Sequence, residues 1–206
     1  KAGAAFYPKK PGMPNILAGI LNSGISNNEE KVDNKNSLRK LGSSISFYVT
    51  DDNLVCNISC LNDKFDLTMD IFKEILDHVD LENTDVINSL VMQGYGTFKQ
   101  KISVPSDLAR IIFYQKLYPK SHVLHYPYSG SAKSLIGITA EDVKDYFNNY
   151  VSSKDAKIIS LSNIDKSKIE ERFKFLTDWK SKANIPAYIP CDLPFDTEIT
   201  IYNDED

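Results

Sequence analysis

The apolar residues of this chain change their spacing several times, and each change marks an element. Met13, Ile16, Leu17, Ile20 and Leu21 recur three and four positions apart. That spacing predicts a helix of about three turns with one buried face, preceded by Pro8, Pro11 and Gly12 and stopped at Asn22-Ser23-Gly24. The polar stretch that follows keeps only Val32, Leu38 and Leu41 as apolar anchors. It predicts a helix starting near Ser26 or Asn28, with Glu29 or Glu30 completing the cap and Gly42 ending it. Residues 44–61, SISFYVTDDNLVCNISCL, switch to period two on either side of Asp51-Asp52-Asn53 and predict an antiparallel hairpin.

Helical spacing returns through Met69, Phe72, Ile75, Leu76 and Val79, then from Asn83 or Thr84 through Val86, Leu90 and Val91 toward Phe98, where Gly94 and Gly96 weaken the middle. Pro105 opens another helix and Pro119 closes it. Residues 120–131 read as a loop. Thr139 and Asp142 form a capping box for a helix with Val143, Tyr146, Phe147 and Tyr150 on one side. Ala156 to Ser162, AKIISLS, predicts a short strand, and Ile169, Phe173, Leu176 and Trp179 predict a last helix.

At the two ends the pattern is different. The opening KAGAAFYPKKPG reads as the end of a strand running into a turn. After Lys182, Pro186, Pro190 and Pro194 block helix and favour an extended tether, which ends in TEITIY, a strand in need of a partner. With no internal repeat and too little strand-helix alternation for a parallel sheet, the order predicts an α+β fold: a mixed, mainly antiparallel sheet covered by helices. One domain spans 1–182, and 183–206 is a proline-rich connector with a possible strand.

Composition narrows the function classes. The chain has 206 residues, 42% hydrophobic and 25% charged, which suits one well-filled core. A net charge of -4 gives no field to gather a polyanion, so nucleic acid is not an expected partner. No apolar run approaches the roughly 20 residues needed to cross a bilayer. Cys56 and Cys60 would lie about 13 Å apart on a straight strand, too far for a bond between them, and with Cys191 they are too few for a thiolate metal site.

Candidate chemistry is sparse. His122 and His125 form an HxxH on a loop with no acidic residue before Glu141, so both are expected to be exposed loop histidines. His78, at a helix end beside Asp77 and Asp80, reads as a cap. YSGSAKS is neither a serine elbow nor a phosphate loop. The adjacent acidic pairs Glu29-Glu30, Asp51-Asp52 and Glu170-Glu171 do not converge on a substrate. Tyr114, Tyr118, Tyr126, Tyr128, Tyr146 and Tyr150 are expected to gather in or near one region, as a packed rim or a protein surface.

Three stretches, KAGAAFYPKKPGMPNILAGILNSG, LRKLGSSISFYVTDDNLVCNISCLNDKFDLTMDIFKEIL and LYPKSHVLHYPYSGSAKSLIGITAEDVKDYFNNY, resemble in order and spacing the M16 zinc metallopeptidases (insulinase, pitrilysin and mitochondrial processing peptidase). The resemblance implies that family's α+β fold, lacking its first strands here. The family's active half carries an inverted His-x-x-Glu-His on the first helix, whose histidines bind zinc and whose glutamate activates water. This chain matches those positions with Asn15, Ala18 and Gly19. Where some members' unmetallated half supplies an Arg and a Tyr to the substrate, it has Pro127 and Ser134, with Tyr128 adjacent.

The resemblance therefore implies a domain with no catalytic residue and no metal of its own. Such a domain is inactive alone and pairs with a catalytic M16-type half or subunit, the only place zinc is expected, to enclose unfolded peptide. As a whole that assembly is a zinc-dependent metalloendopeptidase. Tyr128, Gly130 and Ser134 are the candidate peptide or partner contacts. A homo-oligomer, and a bacterial periplasm or mitochondrion-like compartment, are compatible with the family. The alternative is a protein-binding or scaffold domain with no peptide-processing role.

Overall fold

The computed structural model describes residues 2–3, 10–27, 33–120, 122–154 and 156–179. The first helix, α1 (Met13–Ser23), is the predicted one, and Met13, Ile16, Leu17, Ile20 and Leu21 are all buried. It sits at the centre of the fold, against the hairpin of residues 44–59 on one side and two later helices, Thr84–Ile102 and Ala140–Tyr150, on the others. Burying a leucine such as Leu17 contributes about 1.5–3 kcal/mol, so this face alone anchors the core.

α2 (Asn34–Leu41) starts later than the sequence suggests. Asp33 is its cap, accepting from the Asn36 backbone N–H at 2.9 Å, and Gly42 ends it as expected. Ile25 and Ser26 are extended instead, bridging to Asp33 and Val79, while Glu29 and Glu30 lie outside the described residues. The hairpin is as predicted: β1 (Ser44–Val49) pairs antiparallel with β2 (Leu54–Ser59), Phe47 opposite Cys56, and Thr50 N–H donates to the Asn53 carbonyl across the turn. On the outer edge of β1, the Asn22 side chain imitates a neighbouring strand. Its Nδ2 donates to the Phe47 carbonyl and its Oδ1 accepts from the Phe47 N–H, both at 2.7 Å.

α3 (Phe65–Asp77) lays Met69, Phe72, Ile75 and Leu76 under the hairpin, with Phe47 and Phe72 stacked at 6.5 Å. His78 is the C-cap residue, its backbone N–H on the Glu74 carbonyl and its Nε2 3.7 Å from Glu74 Oε2. α4 (Thr84–Ile102) is capped by Asn83 and runs through both glycines, because Ile87 and Val91 hold it to the core. α5 (Pro105–Leu117) buries no residue fully. α6 (Ala132–Ile136) falls just beyond the predicted loop, and α7 (Ala140–Tyr150) starts at the predicted Thr139–Asp142 capping box. α8 (Lys166–Phe173) tightens into a 3-10 turn at Lys174–Thr177.

The predicted strand at 156–162 is not formed. The segment has no paired neighbour among the described residues, and Ile159 and Leu161 are 96% and 104% exposed. A strand needs a ladder of partners, which strand-like composition alone does not supply. Most of the opening KAGAAFYPKKPG, read as a strand end running into a turn, falls outside the described residues, as do the connector and TEITIY. The described part is thus helix-rich around a two-stranded antiparallel sheet, an α+β arrangement. No described helix is long and apolar enough to cross a membrane.

Candidate functional site

The polar face expected on α1 has been given over to packing. Asn15 is half-buried, and its Nδ2 donates to the Tyr128 carbonyl at 3.0 Å. Ala18 is 5% exposed. Gly19 lies beneath Leu90 of α4 so closely that a Cβ built on it would stand 2.6 Å from Leu90 Cδ2. An apolar leucine rests where a side chain at position 19 would project. An alanine and a glycine offer no ligand atom and no proton acceptor, and the amide of Asn15 is used to hold a neighbouring loop.

That loop is positioned by glycines. Gly130 N–H donates to the Pro127 carbonyl at 2.8 Å, closing a turn over Tyr128 and Ser129. Gly130 (φ 88) faces Gly12 (φ 95), and neither has room for a side chain. A Cβ on Gly130 would come within 2.8 Å of the Pro11 carbonyl oxygen, and one on Gly12 within 3.1 Å of the Gly130 Cα. Leu135, 1% exposed, fills the space under both. The close approach of two backbones is what glycine permits at these left-handed positions. The entry to α1 and the loop before α6 are therefore one packed unit.

On its outer surface Tyr128 is half exposed, with Lys101 Nζ of α4 over its ring at 5.3 Å and 3.4 Å from Ser129 Oγ. The structure thus brings together Asn15, Tyr128 and Gly130, while Gly19 lies on the seam with α4 and Ala18 is buried in the core. Ser134 is used differently: it is the third helical residue of α6, and its Oγ accepts from the Ser131 N–H at 2.8 Å in a capping box. Lys101, Leu90 and Leu135 complete the region and carry no signal in the sequence, being ordinary lysine and leucine positions on amphipathic helices.

The histidines do not form the expected exposed pair. His122 is 4% exposed and stacks on Tyr118 at 4.7 Å, and Leu124 N–H reaches its Nδ1 at 3.2 Å. His125 Nδ1 lies 2.8 Å from the Tyr118 carbonyl. Tyr118, just past the end of α5, collects both: its ring stacks on His122 and its carbonyl meets His125. The tyrosines likewise divide: Tyr114 stacks on Tyr118, whereas Tyr146 and Tyr150 stack within α7 and Tyr146 OH donates to the Ala2 carbonyl. Among the described residues no three of His, Cys, Asp and Glu converge as metal ligands.

Two further groups are electrostatically distinct. Burial pushes the Cys56 thiol up to about 12, which keeps it protonated and unreactive at neutral pH. Asp142 is partly desolvated, which works against ionisation. Hydrogen bonds from Lys10 and Thr139 outweigh that and hold its carboxyl below the usual range. Lys10 also donates to the Gly137 carbonyl at 2.8 Å, so one ammonium ties the turn before α1 to the start of α7.

The sequence matches no family model and no curated protein. The fold does have solved counterparts. The peptidase M16 inactive domain from Pseudomonas fluorescens superposes with a TM-score of 0.75 at 19% identity, over 94% of this chain and 46% of that one. A protease from Helicobacter pylori gives 0.73 at 15%, over 89% and 44%. A chain of complex III2 from Candida albicans, solved with Inz-5 bound, gives 0.63 at 15%, over 89% and 40%. This chain spans less than half the length of each of them. With its α1 intact as a packing element and its hairpin laid across that helix, the chain has the fold of a peptidase M16 inactive domain.

Proposed function

We propose that this chain is a catalytically silent M16 peptidase-like domain, covering 1–182 with 183–206 as its connector. In this reading it works beside a zinc-bearing half or subunit to enclose and hold unfolded peptide. The observation that carries it is the fate of α1: the apolar face is buried, while Asn15 holds a loop and Gly19 lets Leu90 pack onto the helix backbone. Zinc chemistry then belongs to the partner, and this domain supplies a wall. Tyr128, on a loop fixed by Gly130 and flanked by Lys101, presents an aromatic ring and a cation together, a pairing suited to extended peptide.

The test uses the full chain, dialysed against trace zinc, and fluorescently labelled reduced casein. The expected result is no stoichiometric zinc, no hydrolysis by the chain alone, and saturable casein binding that weakens several-fold in Tyr128→Ala. Hydrolysis with retained zinc would show a working enzyme. Failure to bind casein, with or without a metallated partner, would leave a scaffold and end the peptide-holding reading.

A further inference from the structure

Charge is spread unevenly along this chain. Residues 86–138, which hold most of α4, all of α5 and α6 and the Tyr128 loop between them, carry six basic residues and a single acid, Asp107, in a chain with 24 basic and 28 acidic residues in all. Asp107 is taken by Arg110 at 2.8 Å. The other five cations, Lys99, Lys101, Lys116, Lys120 and Lys133, enter no ion pair among the described residues, and all but the half-buried Lys101 are exposed. Lys99 and Lys101 also suit the C-terminal end of the α4 dipole, where cations are favourable. That accounts for their place on the helix and leaves the shortage of acids across the whole stretch unexplained.

Two of these lysines stand beside the Tyr128 loop. Lys101 Nζ lies over the Tyr128 ring at 5.3 Å and 3.4 Å from Ser129 Oγ. Lys133 follows Ser129 by four residues, in the first turn of α6, and shares its exposed side with Ile136, which is 63% exposed. α6 is itself fixed on α4, since a Cβ added at Gly94 would meet Leu135 Cδ1 at 3.4 Å. Lys99 leaves the other flank of α4, two residues and about 200° around the helix from Lys101, with its Nζ over the Tyr95 ring at 4.8 Å. It strengthens the field and not the contact surface, as do Lys116 and Lys120 near the end of α5. At physiological ionic strength a charge is felt over about 8 Å, so a segment lying on Tyr128 senses these lysines and not the net charge of the chain.

We infer that the Tyr128 face selects acidic unfolded peptide, with glutamate and aspartate side chains set against Lys101 and Lys133 and apolar residues resting on Tyr128 and Ile136. The inference rests on the peptide-holding reading above and adds the charge of what is held. An ammonium has three donors, and Ser129 Oγ engages one of those on Lys101, so a carboxylate can take the others in charge-assisted bonds. A basic peptide would meet the same cations with no carboxylate to offset them, which makes the face selective as well as adhesive.

Fluorescence anisotropy on the full chain tests this with three labelled peptides of equal length, blocked at both ends and alike except for glutamate, glutamine or lysine at every third position. The glutamate peptide is expected to bind about tenfold more tightly than the lysine peptide at low salt, a preference that shrinks as salt is raised. Lys101→Gln/Lys133→Gln should remove most of that preference while the glutamine peptide binds as before, which shows that the variant still folds. Lys35→Gln/Lys40→Gln on α2 removes the same charge from exposed positions elsewhere and should keep the preference. Equal binding of the three peptides would overturn the inference and leave peptide holding intact, whereas binding of none, casein included, would end both. A preference lost equally in the two double variants would overturn it as an effect of net charge. Tighter binding of an oligothymidylate than of the glutamate peptide would assign the face to phosphate chains instead.

Discussion

Replacing Gly130 by alanine should be far more damaging than the same change at Gly42, and the difference measures how firmly the Tyr128 loop is docked on α1. Both glycines hold left-handed backbone, at φ 88 and φ 65. Both substitutions remove one glycine's freedom from the unfolded chain, so that contribution cancels. At Gly42 nothing lies within 4 Å of an added Cβ, and only the left-handed penalty of about 1–2 kcal/mol applies. At Gly130 the Cβ would press on the Pro11 carbonyl oxygen at 2.8 Å and on Leu135 at 2.9 Å. The carbonyl is main chain and Leu135 is enclosed, so neither yields easily, and overpacking adds about 1–3 kcal/mol. Urea unfolding followed by fluorescence of the single Trp179 reads both variants on one scale. Gly130→Ala should cost about 2–5 kcal/mol and Gly42→Ala about 1–2. Equal costs would mean that the loop stands away from α1, and the unit formed by Gly12, Gly130 and Leu135 would be refuted.

Iodoacetamide at pH 8, with the adducts mapped by mass spectrometry, should modify half-buried Cys56 far more slowly in the folded chain than in urea, because burial raises its thiol and keeps the thiolate scarce. Rapid labelling of Cys56 in the folded chain would contradict its burial. Asp142 has a depressed folded pKa, so the stability it contributes is fully present above its unfolded value and is lost as pH falls through the lower folded value. Thermal melts should therefore separate the unaltered chain from Asp142→Asn at neutral pH by about 0.5–2 kcal/mol, the order of a helix-capping interaction, and the gap should begin to close near the ordinary carboxylate value of about 4 and vanish only as the pH falls through the lower folded value. A gap that stays constant down to pH 2 would mean that the charge of Asp142 is not what holds the start of α7.

The elements legible in the sequence were those whose signal is local. The hairpin alternates on both arms, α1 keeps five apolar residues on one face, and the Thr139 box names the first residue of α7. α6 escaped because five residues are too short to show a period, and its box uses Ser134 in place of the usual glutamate or glutamine. The 156–162 run has strand composition, but composition cannot supply a partner edge. His122 was misjudged for a similar reason: its burial depends on the ring of Tyr118 beside it, and a polar loop gives no sign of that stack. For the site, Asn15, Ala18 and Gly19 could be found by position. Their use could not, because the bond from Asn15 crosses 113 residues to Tyr128 and the leucine above Gly19 comes from another helix.

The side-chain amide of Asn22, bonded both ways to Phe47, bears on how copies of this chain could aggregate. Fibrillar growth by strand addition requires two available faces on every unit, one to receive and one to offer. A hairpin blocked on one flank can receive but not pass the pattern on, so association through this sheet ends at two chains. Asn22→Ala would unblock that flank and turn a terminating contact into a propagating one.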